Sequence, residues 1–412
     1  MDYIFVDTKK NIEIIGLVEE NKLVELYIDD KENKKQVGNI YRGRVENVLP
    51  GMEAAFVDIG EGKNAYLYVK QALPKRMDKN QKVNIDDIIK KGDDIIVQVL
   101  KEPSQNKGAK VTTHITLPGR YVVLTPYSNK ISLSRKIKDM DEIKRLREIG
   151  ANIKKYDYGL IFRTNAAGVE EKLLADEYNL LIDIFQKIER ERNFLPCPKL
   201  IYKEIDLAHQ IIRDVYNERI DRIILNDKEK YESIISFQGV MFPKLKEKIY
   251  YDRDFNIFYQ REIMDQIKTA LNRRVFLNSG GYIVIDETEA LTAIDINTGK
   301  FIGQDNLEDT VVRTNLEACE EIARQIRLRD ISGIIIIDFI DMKDKKDVDL
   351  VLERLEECLS HDRNKANIIG ITKLGLVELT RKKIRNSLNT SFIQECPNCN
   401  GSGRILYRNI DN

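Results

Sequence analysis

Two runs rich in β-branched residues, each ending in acids, constrain this chain more than any other feature. The first, SGGYIVIDETEALTAIDINTG, closes on Asp295 and Asn297; the second, SGIIIIDFIDM, closes on Asp338 and Asp341. Such runs predict strands buried on both faces, which leaves the residues just past their ends at the rim of a sheet, where open α/β sheets place their chemistry. One helix, predicted over Glu308–Arg329, separates Asp295 from Asp338. That is a crossover length, and it makes the two strands parallel neighbours with both acids at one end. Asn297 shares a face with Asp295, since strand side chains alternate with period two. Glu289, in the turn DETEA inside the first run, is expected close enough to orient a metal-bound water.

What else the chain lacks narrows the chemistry. There is no GxxxxGK[ST] loop, and His114, His209 and His361 stand in dissimilar contexts that do not suit a His-ligated zinc enzyme. Carboxylates suit magnesium, which polarises a phosphoryl oxygen and activates water for phosphodiester hydrolysis. On the residues alone two readings stand: Asp295 and Asp338 hold one cation, or they cap loops after buried strands.

Lysine plus arginine number 67 against 67 aspartate plus glutamate, so net charge points to no partner. A 42% hydrophobic content over 412 residues supplies cores for more than one domain. The start, MDYIFVDTKKNIEIIGL, lacks a basic region followed by an apolar core, and no run reaches the length of a membrane span, so a soluble, cytoplasmic protein is expected. Cys197, Cys319 and Cys358 are scattered, whereas Cys396 and Cys399 form CPNC. That pattern fits a reducing compartment, and CPNC offers two of the four ligands that a structural zinc needs. The other reading, a redox CxxC, wants a helix start after a strand.

Along the chain, residues 2–28 predict an antiparallel meander too small to stand alone, joined to a sheet completed within residues 201–256. From Val37, short strands broken by Pro50-Gly51, Gly60, Gly62 and Gly92 predict a small barrel. On it Arg42, Arg44, Phe56, Lys63, Tyr66, Tyr68 and Lys70 mix rings that stack bases with cations that track phosphates. The alternative places Phe56 in the core and the cations on a solvated rim. Arg163 and Thr164 follow the strand GLIF and precede a helix predicted over Glu170–Asn193, making either a phosphate pocket or an ordinary strand cap. Phe194–Lys199, FLPCPK, reads as a linker, and Lys373–Asn389 as a helix with a basic face.

Several segments resemble known proteins. GNIYRGRVENVLPGMEAAFVDIG followed by NAYLYV resembles the RNA-binding OB module repeated in the large ribosomal protein of the small subunit, with Phe56 and Tyr66 at its stacking positions. IVIDETEALTAIDINTGK, TNLEACEEIARQIRLRDISGIIIIDFIDM and ECPNCNGSGR, in that order, resemble the catalytic half of the ribonuclease E/G family, and the similarity covers nearly the whole chain. The resemblance implies a multidomain α/β fold. Its parts are an RNase H-like structural subdomain (1–35 with 205–270), an inserted OB-fold RNA-binding domain (36–118), a 5′-sensor α/β subdomain (119–204), a DNase I-like catalytic subdomain (271–392) and a zinc-link with tail (393–412).

It also implies a magnesium-dependent endoribonuclease that cuts single-stranded, AU-rich RNA, favours 5′-monophosphate ends and acts in rRNA processing and mRNA decay. Asp295 and Asp338 match the magnesium ligands, Asn297 helps position the phosphate, and Glu289 supports the site. Arg163 and Thr164 match the sensor pair. Lys365 loosely matches a supporting arginine, and lysine lacks the bidentate fork. Lys107, Lys110, Lys373, Arg381, Lys382, Lys383 and Arg385 lie along the implied RNA path. Cys396 and Cys399 imply a zinc shared between two chains, hence a homodimer. Because the sequence stops at Asn412, neither the tetramer-forming domain nor a degradosome scaffold is expected. The rival is a non-catalytic RNA-binding protein in which the barrel and pocket do all the work and the acids only cap strands.

Overall fold

The computed structural model describes residues 1–32, 35–72, 84–103, 107–238, 245–299, 307–383, 385, 387–394, 396, 397, 399 and 403. They form two compact units, one of residues 1–31, 217–232 and 247–412, the other of residues 32–216 and 233–246.

In the first unit the opening meander forms as its alternation predicts. Tyr3–Lys9, Ile12–Glu19 and Lys22–Asp30 pair antiparallel, and Arg222–Leu225 and Ile249–Tyr251 extend the sheet in parallel beyond Tyr3–Lys9. The helix Arg261–Leu271 places Ile263 and Ile267 in a core with Phe5, Leu23 and Leu26, the packing that a small meander needs to persist.

The second sheet of this unit carries the acids. Its strands are β1 (Arg274–Phe276), β2 (Tyr282–Glu287), β3 (Leu291–Asn297), β4 (Gly333–Asp338), β5 (Ala366–Ile371) and β6 (Val377–Arg381), in the order β1-β2-β3-β4-β6-β5. Helix α1 (Leu307–Leu328) connects β3 to β4, which pair in parallel, and helix α2 (Lys345–Ser360) follows β4. Both helices join one core: Cys319, Ile322 and Ile326 of α1 and Val351 and Leu355 of α2 cluster with Ile283, Ile285, Ile294, Ile296, Ile335 and Ile337. On the opposite face Ile334 is 50% exposed, Ile369 62% and Phe276 71%. The strands are therefore buried on one face, not both. An all-isoleucine run has no alternation to mark which side chains face outward, so its sequence looks the same in either environment.

A second correction concerns Lys373–Asn389, where β6 replaces the expected helix. Val377, Leu379 and Arg381 point inward at period two, which a helix cannot do. Arg381, also expected along an RNA path, is 4% exposed and is held by Asp362 and Asp330 at 2.6 Å each. Arg385 lies 3.8 Å over the Tyr27 ring and 3.2 Å from Asp330.

A buried ion cluster ties the meander to α1. Glu25 accepts from Arg327 at 2.9 Å and also meets Arg363 and Tyr27, while Arg327 reaches Glu19 at 3.1 Å. Burial pushes the Glu25 carboxyl up, but Arg363 and Arg327 outweigh it and hold it at about 2.

In the second unit, Ile40–Leu49, Ala54–Asp58, Ala65–Tyr68, Lys110–Thr112 and Asp94–Lys101 pair in sequence, and the last returns to Ile40–Leu49 to close a five-stranded barrel consistent with an OB-fold. Val45, Val57, Leu67, Val97 and Val111 fill it. Lys199–Tyr202, just past the linker, adds to the barrel through Ile40–Leu49. A four-stranded sheet of Leu117–Pro118, Val122–Thr125, Ile131–Leu133 and Gly159–Phe162 packs with helices Met140–Ile153 and Glu171–Phe194.

A carboxyl held low by cationic partners contributes stability above its unfolded value and loses it as pH falls through the folded one. The Glu25 contribution therefore disappears between about 4.5 and about 2. Glu25→Gln is expected to destabilise the protein at pH 7 by about 3 kcal/mol and to flatten the fall in stability across that window. Denaturant melts at pH 7 and pH 3 measure this, and parallel pH slopes for the two proteins would remove Glu25 from the role.

Candidate active site

Strand β3 sends Thr292, Ile294 and Ile296 into the core and leaves Ala293, Asp295 and Asn297 on the uncovered face. Parallel pairing sets Asp295 in register with Asp338. The two backbones thus lie one strand spacing apart, about 4.8 Å, and both carboxylates are exposed. Asn297 Nδ2 donates to Asp295 Oδ2 at 2.7 Å, which fixes one oxygen of that carboxylate. Past Asp338 the chain is clamped from α1: buried Asn315 donates to the Ile340 carbonyl at 2.9 Å and accepts from its N–H at 3.2 Å. Sequence reasoning missed Asn315. Its signal was an amide one turn before Ala318 and Cys319 on the buried stripe of TNLEACEEIARQI.

Among the described residues no three His, Cys, Asp or Glu side chains gather as a metal site, so this chain brings two carboxylates and one amide. That donor set fits magnesium, which takes one or two carboxylates and completes its octahedron with water and substrate phosphate. Asp341 is exposed in the loop after β4.

Glu289 does not join them. It lies in the turn between β2 and β3, and β3 runs away from that turn toward Asp295. Strand rise alone puts Leu291 about 13 Å from Asp295, and Glu289 lies beyond it in the turn. Lys365 is exposed just before β5, next to the Ala366–Arg381 pair and so at the end of the sheet remote from Asp338; its carbonyl accepts from Lys382 N–H. Lys373 sits in the β5–β6 turn at the Asp338 end, since Ile337 pairs with Val377.

On the barrel, Phe56 and Tyr66 are direct cross-strand partners whose rings meet edge to face at 6.0 Å. Both are half-buried, while Val57 and Leu67 beside them face the barrel core. Phe56 therefore lies on the outer surface. Tyr66 is in register with exposed Lys110 on the next strand, and exposed Lys107 lies three residues before it.

The Arg163–Thr164 pair begins a short turn after the strand Gly159–Phe162. Arg163 Nη1 donates to the Gly119 carbonyl at 2.6 Å and to Asp214 Oδ1 at 2.9 Å, so one end of the guanidinium is anchored while its Nε/Nη2 edge faces away from both partners. Asp214 also takes Arg213 Nε at 2.9 Å; burial raises its carboxyl, and Arg213 and Arg163 together bring it below the usual range. The Thr164 hydroxyl lies 2.9 Å from that of Ser134. Buried Glu177 sets the loop, accepting the N–H groups of Arg120, Tyr121 and Val122 at 2.6–2.7 Å. Its approach needs glycine at position 119, where a Cβ would stand 2.5 Å from the Glu177 carboxyl carbon. Neither Glu177 nor Asp214 was singled out from the sequence. Glu177 had a signal, an acid among Leu174, Tyr178 and Leu181 on the apolar stripe of its helix.

Cys396 is exposed and Cys399 half-buried, with Gly403 N–H donating to Cys399 Sγ at 3.4 Å; the rest of ECPNCNGSGR, apart from Pro397, lies outside the described residues. No helix among the described residues is long and apolar enough to cross a membrane.

The chain is similar to known proteins along nearly its whole length. A model of the ribonuclease E/G family matches residues 116–384. Ribonuclease G of Salmonella typhimurium (strain SL1344) and that of Escherichia coli (strain K12) are each 40% identical over 399 residues, spanning 95% of this chain and 82% of theirs. Ribonuclease E of Nostoc sp. (strain PCC 7120) is 39% identical over 400 residues, 96% of this chain and 58% of its own. With Asp295, Asn297 and Asp338 on one open sheet face and relatives this similar along nearly its whole length, the chain belongs to the ribonuclease E/G family.

Proposed function

We propose that this endoribonuclease cuts single-stranded, AU-rich RNA with magnesium held by Asp295 and Asp338, prefers 5′-monophosphate ends, and serves rRNA processing and mRNA decay. The observation that carries the reading is the in-register pairing of the two acids on the uncovered face, with Asn297 bonded to Asp295. When bound there, magnesium would polarise the scissile phosphoryl oxygen and supply an activated water. The chain's own residues do the rest. Asn297 orients the Asp295 carboxylate, and Asn315 steadies the loop that follows Asp338. Phe56 and Tyr66 offer ring faces to unpaired bases, and Lys107 and Lys110 pair with backbone phosphates.

For the RNA end, the anchored guanidinium of Arg163 presents its open edge to a terminal phosphate as a bidentate donor, with the Thr164 hydroxyl beside it. A 5′-hydroxyl end carries no group to fill that fork. Glu289 is given no part in the cleavage site. Cys396 and Cys399, two ligands short of a zinc tetrahedron, take their complement from a second chain, which makes the active species a zinc-linked homodimer. The rival reading, an RNA-binding protein without catalysis, leaves the alignment of two exposed acids and an amide unexplained.

Three outcomes follow from this reading. Asp295→Asn and Asp338→Asn are each expected to slow magnesium-dependent cleavage at least ~100-fold while leaving RNA affinity in EDTA within a factor of a few; wild-type rates in both variants would return the acids to a capping role. Arg163→Ala is expected to equalise cleavage of 5′-monophosphate and 5′-hydroxyl substrates, and Asp214→Asn to narrow the gap by loosening the arginine. Equal rates for the two substrates in the wild type would remove the pocket from end sensing. Metal analysis is expected to find one zinc per two chains, and both a chelator and Cys396→Ala to yield monomers in sedimentation; a dimer that persists after zinc removal would exclude the shared site.

A further inference from the structure

The uncovered face of the acid sheet carries a second group of side chains whose rows run directly into the acids. Phe276 on β1 pairs with Tyr282 on β2, and Tyr282 pairs with Asn297 on β3. One row over, Arg274 pairs with Val284, Val284 with Asp295, and Asp295 with Asp338. Residues paired across strands project to the same side of a sheet, so Phe276, Tyr282 and Arg274 share the face of Asn297, Asp295 and Asp338. The Phe276 backbone is two strand spacings from that of Asn297, about 10 Å. The Phe276 ring is 71% exposed and meets Tyr282 at 6.1 Å with a 62° tilt, while the Arg274 guanidinium lies 4.3 Å over the Tyr282 ring.

We infer that Phe276, Tyr282 and Arg274 form a base-stacking subsite for the nucleotide flanking the scissile phosphodiester of single-stranded RNA. An exposed ring offers a π-face to any base, and a guanidinium beside it suits the phosphate that base carries. The geometry points to RNA rather than to another protein because the rings and the cation are continuous, row by row, with the residues read as the cleavage site. A phosphodiester placed at Asp295 and Asp338 carries its neighbouring nucleotide across this surface in one of the two chain directions. The subsite is separate from Phe56 and Tyr66, which sit on the barrel, so the enzyme holds stacking surfaces in both of its compact units. The inference rests on reading Asp295 and Asp338 as the cleavage site.

The test uses the whole protein and a set of 5′-monophosphorylated, AU-rich oligoribonucleotides, each with one 2-aminopurine at a different position, bound in EDTA so that nothing is cut. The cleaved bond is mapped separately with magnesium. Fluorescence is expected to be quenched at a position next to that bond. Phe276→Ala should abolish this quench and raise KM for cleavage about 5- to 100-fold, while Phe276→Tyr retains both, and the positions that Phe56→Ala affects should be unchanged by Phe276→Ala. Quenching identical to wild type at every position in Phe276→Ala overturns the subsite. So does a lost quench accompanied by a smaller mass in sedimentation, which would make the face a contact between copies. Asp295→Asn separates the two readings: it should stop cleavage and keep the quench. If it cleaves normally the acid reading fails, and if it is inactive while Phe276→Ala binds as wild type only the subsite fails.

Discussion

The parallel register of β3 against β4 is the constraint on which the proposed cleavage site depends. Side chains alternate along a strand, so a slip of one residue would turn Asp338 toward α1 and α2 and put Ile337 in the solvent. Several features hold the register. Ile335 and Ile337 belong to the same core as Ile322 and Val351, so a slip would expose apolar surface on every strand contact at once. Gly333 opens β4 at φ +91°, a conformation that glycine adopts without strain, and Asn315 fixes the chain at Ile340 beyond the strand's other end. Helix α1 is in turn tied to the meander through Arg327, Glu19 and Glu25, and through Arg324 to the Leu23 carbonyl at 2.9 Å. The meander that looked too small to stand alone thus serves as the anchor for the crossover that aligns the acids.

What could be read in the sequence divides along physical lines. Helices with a 3.6-residue stripe, such as Glu171–Phe194 and Leu307–Leu328, lie within a residue or two of where the pattern placed them, because the stripe records burial on one side. The pairing of Asp295 with Asp338 was legible for a similar reason: one helix between two strands leaves few topologies. Strands without alternation hid which face was open. The Lys373–Asn389 error arose because basic residues were taken for a solvated helix face, while the two-residue period of Val377, Leu379 and Arg381 was the better signal. Glu289 lies at the opposite end of its hairpin from Asp295, which nearness in sequence does not reveal.

Equal numbers of acids and bases concealed the deployment of charge. Arg327 and Arg381 are spent inside the first unit on Glu25, Asp330 and Asp362, where partners left uncompensated would be costly. Arg163 is divided, one end bound to Asp214 and Gly119 and the other edge open, whereas Lys107 and Lys110 stay in solvent, Lys110 in register with Tyr66. A whole-chain sum gives these three kinds of cation equal weight. Only burial and partners separate those that hold the fold from those available to a polyanion.

The one-sided acid sheet follows from what it has to carry. A helix laid over this face would take both carboxylates out of water, and burying a charge is costly unless it is paired. The open face leaves them hydrated and accessible. The exposure of Phe276, Ile334 and Ile369 on the same face is the consequence, since a structure that covered those apolar side chains would also cover Asp295 and Asp338.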